Sequence, residues 1–199
     1  MSIRPILKYP DPRLRVPATA VHLFDAELER LTDDMLETMY DASGIGLAAT
    51  QINVQKSVVV IDLGEQTPQP EVLINPSYQV LEAEQRTSMT EGCLSVPYAQ
   101  VSVLRFAAIE FHYQNLKGEA ISERPDGLRA LCLQHELDHL YGRMLVDYLS
   151  SAQRARYKKH LQKTQSPQDA YHLELVAEKA PMAAPANSQP SRLIATSKI

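Results

Sequence analysis

The segment from about Leu128 to Tyr141 constrains this chain more than any other. Leu128, Leu131, Cys132, His135 and His139 recur at helical spacing on one face. Ala130, Leu133, Leu137 and Leu140 occupy the opposite face. A helix apolar on both sides has to be buried in the core. Gly142 is placed to end it, and Pro125-Asp126-Gly127 precedes it. Buried imidazoles need partners, because an unpaired polar group in a dry interior is costly.

His135-Glu136-Leu137-Asp138-His139 is an H-E-x-x-H segment. Residues i and i+4 lie one turn apart on one helix face, so two imidazoles can grip one ion there. Glu136 beside them can take a proton from water. The plainer alternative is two core histidines bonded to backbone. A catalytic tetrahedral ion needs a third protein ligand and one open position. The extension that supplies a third His is closed, because Leu145 stands at its position. Downstream carboxylates lack a convincing helical setting, which points upstream to Glu91-Gly92-Cys93-Leu94-Ser95. There Gly92 would let the backbone turn sharply. Cys93 reads either as a thiolate ligand or as a small buried hydrophobe. A third stretch, Gly44-Ile45-Gly46-Leu47-Ala48-Ala49-Thr50-Gln51, lies between a helix and a strand. Its glycines allow close backbone approach to a ligand, and its spacing is not that of a phosphate loop.

Taken in order and with their spacings, G-I-G-L-A-A-T-Q, E-G-C-L-S and Q-H-E-L-D-H-L resemble the three signature motifs of bacterial peptide deformylases. The resemblance covers about residues 3–150. It implies Cys93, His135 and His139 as metal ligands and Glu136 as general base and later acid. Gln51 and the Leu94 N–H would stabilise the oxyanion, and Gly46 would offer its carbonyl to substrate. Ile45, Met89, Leu128, Leu131 and Cys132 match positions lining a methionine pocket, and Glu91 matches a polar residue near it. The reaction implied is removal of the formyl group from the N-terminal formylmethionine of new chains, releasing formate. Fe(2+) is the metal the family implies; Zn(2+), Ni(2+) or Co(2+) can occupy the same site. Gln100 departs from the pattern, standing where many members carry an arginine that helps hold the substrate backbone. Three other functions fit parts of this pattern: an H-E-x-x-H peptidase cutting internal bonds, a non-catalytic binding module, and a specialised copy acting on another N-acylated peptide. The intact ligands and base count against a binding module.

The expected architecture is α+β, with short, mostly antiparallel strands around the buried metal helix. A helix from Asp25 to about Tyr40 would pack outside, its Leu28, Leu31, Met35 and Met39 forming one apolar stripe. Strands are expected at Ser57–Leu63, Glu71–Ile74 (stopped by Asn75-Pro76), Tyr78–Glu84 and Ala107–Tyr113, the last in a hairpin.

Charge divides the chain. Residues 1–150 carry 12 Lys+Arg and 21 Asp+Glu, whereas residues 151–199 carry 8 and 3. We therefore expect a catalytic unit over 1–150, a basic helix over 151–165 and a Pro-, Ala- and Ser-rich flexible tail over 166–199. Some relatives dock such a helix on the ribosome, so Arg154, Arg156, Lys158, Lys159 and Lys163 suggest a ribosomal contact. The overall net charge of −4 disfavours a protein whose main task is coating DNA or other nucleic acid. The longest apolar run, near Val58–Ile61, cannot span a membrane, and residues 1–12 lack the apolar core of a secretory signal. Two cysteines and no export signal suggest a reducing cytoplasm.

Overall fold

A computed structural model describes residues 2–64, 67–80, 85–164 and 173–179. Helix α1 spans Ala26–Asp41, and the Asp25 carboxylate caps it by accepting from the N–H groups of Glu27 and Leu28, each at 3.0 Å. Its apolar stripe is buried, with Met35 and Met39 fully enclosed. Helix α2 spans Gly127–Leu140 and is buried on nearly every side. Two sheets surround it. The larger is antiparallel, in the order β1 (Gly46–Ala48), β2 (Val58–Asp62), β3 (Pro70–Gln79), β6 (Glu110–Gln114), β7 (Ala120–Glu123). β2 is buried at every position, which explains its unbroken Val-Val-Val-Ile run. The smaller sheet has the order β4 (Arg86–Cys93), β5 (Val96–Phe106), β8 (Leu173–Val176). Helix α3 spans Ser151–Lys163. The fold is thus α+β, with antiparallel pairing between all the described strands except β5 and β8.

Three differences from expectation have physical reasons. Asn75-Pro76 does not stop β3. Register shifts between Ile74 and Ser77, so the proline falls at a bulge where its missing N–H costs no ladder bond. Asn75 takes a left-handed backbone (φ 51°), and its side chain bonds Val21 N, Val21 O and Gln114 Oε1. The strand expected at Tyr78–Glu84 is in part the end of β3; residues 81–84 lie outside the described residues. A uniform tail from 166 onward also fails. Leu173–Val176 forms a strand parallel to β5, with Leu173 and Leu175 buried in the core beside Val101 and Val103. Residues 165–172 and 180–199 lie outside the described residues.

The N-terminal segment ties the site-bearing loops together. Leu7 N donates to Gln51 O and Tyr9 N to Ser95 O, each at 2.8 Å. The long β4–β5 hairpin, not anticipated as strands, carries the E-G-C-L-S stretch at its turn.

Candidate metal site and cleft

The β4–β5 turn presents Cys93 to α2. The donor atoms of Cys93, His135 and His139 all lie within 4.8 Å of one another. Cys93 Sγ is 3.2 Å from His139 Nε2, and the imidazole centroids are 5.2 Å apart. His135 Nδ1 bonds Glu91 Oε2 at 2.8 Å, which leaves Nε2 as the nitrogen available to a metal. Burial pushes the Cys93 thiol up, but the two imidazoles outweigh it and hold its pKa well below the usual range. Burial lowers the His135 pKa, but Cys93 and Glu91 outweigh it and raise it. One sulfur and two imidazole nitrogens, with the sulfur biased to thiolate, fit a borderline-soft divalent ion.

Glu136 sits on the same helix, buried. Burial raises its pKa; His135 and His139 oppose the shift, and Cys93 and Glu91 add to it. Its Oε2 has no hydrogen-bond partner among the described residues, so a proton acceptor faces the site unspent. Gly46 on β1 is pressed against it: a β-carbon there would stand 2.5 Å from Glu136 Oε1. Gly92 does not make a tight turn. Its φ is not positive, and no atom lies within 4 Å of where its β-carbon would be, so its missing side chain keeps the cleft open.

Gln51 follows β1 in a single 3-10 turn. Its Oε1 accepts from Ala48 N at 2.8 Å and its Nε2 donates to Ser95 Oγ at 3.1 Å, which leaves one N–H of the amide for a ligand. Leu94 occupies the turn between β4 and β5, and its carbonyl accepts from Lys8 Nζ at 2.5 Å.

These groups line one cleft of about 560 Å³. Gly46, Gln51, Met89, Glu91, Cys93, Leu94, Leu131, Cys132, His135 and Glu136 all face it. Ile45 and Leu128 also line it, but at 49% and 45% exposure they form its rim rather than its floor. His139 is buried and does not line the cleft. Burial by apolar neighbours, reinforced by the Glu136 charge, pushes the Cys132 thiol well up, so it stays a neutral wall atom. The Glu91 carboxylate is engaged within the protein. Both oxygens accept from Arg105, at 2.8 and 2.9 Å, and one also from His135.

Sequence reasoning missed what stands behind His135. Arg105 is 2% exposed and also bonds Asp138 Oδ2 at 2.6 Å and the Tyr148 hydroxyl at 3.1 Å. Burial raises the Glu91 pKa, but Arg105 and His135 reverse the effect and bring it down to about 2. The signal was there: Val101, Val103 and Arg105 share one parity of β5, so a guanidinium falls on the buried face.

A buried H-E-x-x-H helix, a thiol from a neighbouring hairpin and an apolar cleft beside them define a metal-dependent hydrolase. The profile of the family described as polypeptide deformylase matches residues 3–155. A peptide deformylase of Hahella chejuensis is 51% identical over 163 residues, spanning 82% of this chain and 96% of the relative. One from Saccharophagus degradans is 50% identical over 163 residues, 82% of this chain and 94% of its own. The crystal structure of a peptide deformylase from Legionella pneumophila superposes with a TM-score of 0.77 at 40% identity, covering 84% of this chain and 98% of that one. The chain belongs to the polypeptide deformylase family, a family of metal-dependent enzymes acting on formylated peptides.

Proposed function

We propose that this chain removes the formyl group from the N-terminal formylmethionine of nascent polypeptides. Cys93, His135 and His139 would hold the metal, Fe(2+) in the native enzyme, with Zn(2+), Ni(2+) or Co(2+) able to replace it. A divalent ion bound there supplies Lewis-acid activation of water and of the formyl carbonyl. Glu136 takes a proton from the attacking water as its oxygen bonds to the formyl carbon. Negative charge grows on the formyl oxygen, where the remaining amide N–H of Gln51 and the backbone N–H of Leu94 meet it. One such donor typically contributes about 3–4 kcal/mol. Glu136 then passes the proton to the leaving amine, the C–N bond breaks, and formate departs. The Gly46 carbonyl orients the peptide. Ile45, Met89, Leu128, Leu131 and Cys132 enclose the methionine side chain, whose flexible thioether suits an irregular apolar pocket. Glu91, which lines the cleft, also orients His135.

The observation that carries this reading is the convergence of Cys93 Sγ on the two imidazoles beside an unpartnered Glu136 oxygen. Metal analysis of anaerobically purified protein, coupled to a formate assay on formyl-Met-Ala-Ser, tests it. We expect about one ion per chain and formate release. Hydrolysis of an unformylated peptide instead would favour an internal-bond peptidase, and release of another acyl group a specialised copy.

The cytoplasm is the compartment this reading implies; among the described residues no helix is long and apolar enough to cross a membrane. On α3, Tyr157 and His160 face the protein, whereas Arg156, Lys158, Lys159 and Lys163 are exposed. We assign this basic face to ribosomal RNA. Co-sedimentation with ribosomes should fall when those four are changed to Gln, and should fall with rising salt. Equal pelleting by both forms would end the assignment.

A further inference from the structure

β8 lies outside residues 3–155, the stretch the family profile matches. It pairs with β5 where β5 forms the cleft wall: Ala99 faces Leu173, Gln100 faces Glu174 and Val101 faces Leu175. Alternation buries Leu173 and Leu175 and leaves Glu174 and Val176 exposed on the face that carries Gln100. Gln100 lines the cleft. Adjacent strands lie about 4.8 Å apart, so Glu174 stands next to Gln100, just beyond the residues that line the cleft.

That wall is held rigidly. Tyr98 takes a left-handed backbone at φ 60°, an unfavourable conformation for an aromatic residue unless its surroundings impose it. The Tyr157 hydroxyl from α3 donates to Pro97 O at 2.9 Å on one side, and β8 grips Ala99 to Ser102 on the other. Among the described residues Glu174 makes no ion pair. The one lysine on the cleft, Lys8, is engaged at the metal end with the Leu94 carbonyl.

We propose that Glu174 is a specificity-determining residue that favours formylmethionyl peptides with basic residues shortly after the methionine. The inference rests on the deformylase reading. With the methionine side chain beside α2, the rest of the peptide passes the part of the cleft walled by Tyr98, Ala99 and Gln100. A Lys or Arg there comes within reach of the Glu174 carboxylate, and an acidic side chain is repelled.

The test compares formyl-Met-Ala-Lys-Lys, formyl-Met-Ala-Glu-Glu and formyl-Met-Ala-Ser-Ser as substrates of the metal-loaded full-length chain. The wild type should favour the Lys peptide over the Glu peptide by about three-fold in kcat/KM, as expected for an exposed charge pair, with the difference carried by KM. Glu174→Gln should bring the ratio close to one and Glu174→Lys should invert it, while all forms hydrolyse the Ser peptide equally well. High salt should flatten the wild-type preference. A Lys-to-Glu ratio that is the same in the wild type and in Glu174→Lys overturns the role of Glu174 and leaves the deformylase reading standing. Failure of the wild type to release formate from any of the three overturns that reading, and this inference with it.

Discussion

At the residue scale, Glu136 and Gly46 are one unit. Glu136→Ala should keep the metal, because no ligand is removed, while formate release falls by about 10²–10⁴-fold, the usual worth of a general acid–base. Metal content and turnover measured on the same sample check this, and an active Glu136→Ala protein would refute the proton route. Gly46→Ala should also lower kcat at full metal occupancy, because its β-carbon and Glu136 Oε1 cannot share the space that 2.5 Å allows. The H-E-x-x-H spacing and Cys93 were legible because metal chemistry demands particular residue types at particular intervals. Gln51 was legible only through the family resemblance. Arg105 was legible only as a cation on the buried parity of its strand; its carboxylate partners were not, since other segments bring them.

At the element scale, the site depends on a hairpin and a helix locked together by a buried ion cluster. Arg105 on β5 binds Glu91 on β4 and Asp138 on α2. Arg105→Met would leave two buried carboxylates without their cation, and we expect a loss of about 3–5 kcal/mol of stability in urea unfolding. Helix α2 was readable because its apolar residues cover both faces. The β4–β5 hairpin was not, for definite reasons. Gly92 and Pro97 interrupt it, its exposed half is polar, and a bulge between Glu91 and Cys93 breaks the period of two. Its pairing over Arg86 to Phe106 comes from contacts distant in sequence, which no local window contains.

At the scale of the whole molecule, Glu91 links acid stability to the active site. Its folded pKa of about 2 lies below the ordinary 4.5, so the unfolded chain binds its proton first. The stability this contributes is present above about pH 4.5 and is lost as pH falls toward 2; at most it amounts to about 3 kcal/mol. Unfolding midpoints across that range should drop more steeply for the wild type than for Glu91→Gln. Chelation should act differently, abolishing turnover and lowering the melting temperature together, both restored by adding back the divalent ion. The α+β class was foreseeable from alternating patterns and turn residues. The fate of residues 173–179 was not: Leu173, Leu175, Val176 and Ala177 make only a short apolar run, and what makes it a strand is the ladder that β5 offers.

That ladder has a colloidal consequence. The outer margin of β5 is a row of amide and carbonyl groups that, left bare, would accept any extended segment, including one from a second molecule. Chain shortened before Leu173 should therefore show concentration-dependent self-association by light scattering, whereas the intact chain should stay dispersed. β8 thus also acts as a seam allowance, folded over so that the fabric does not catch on its neighbours.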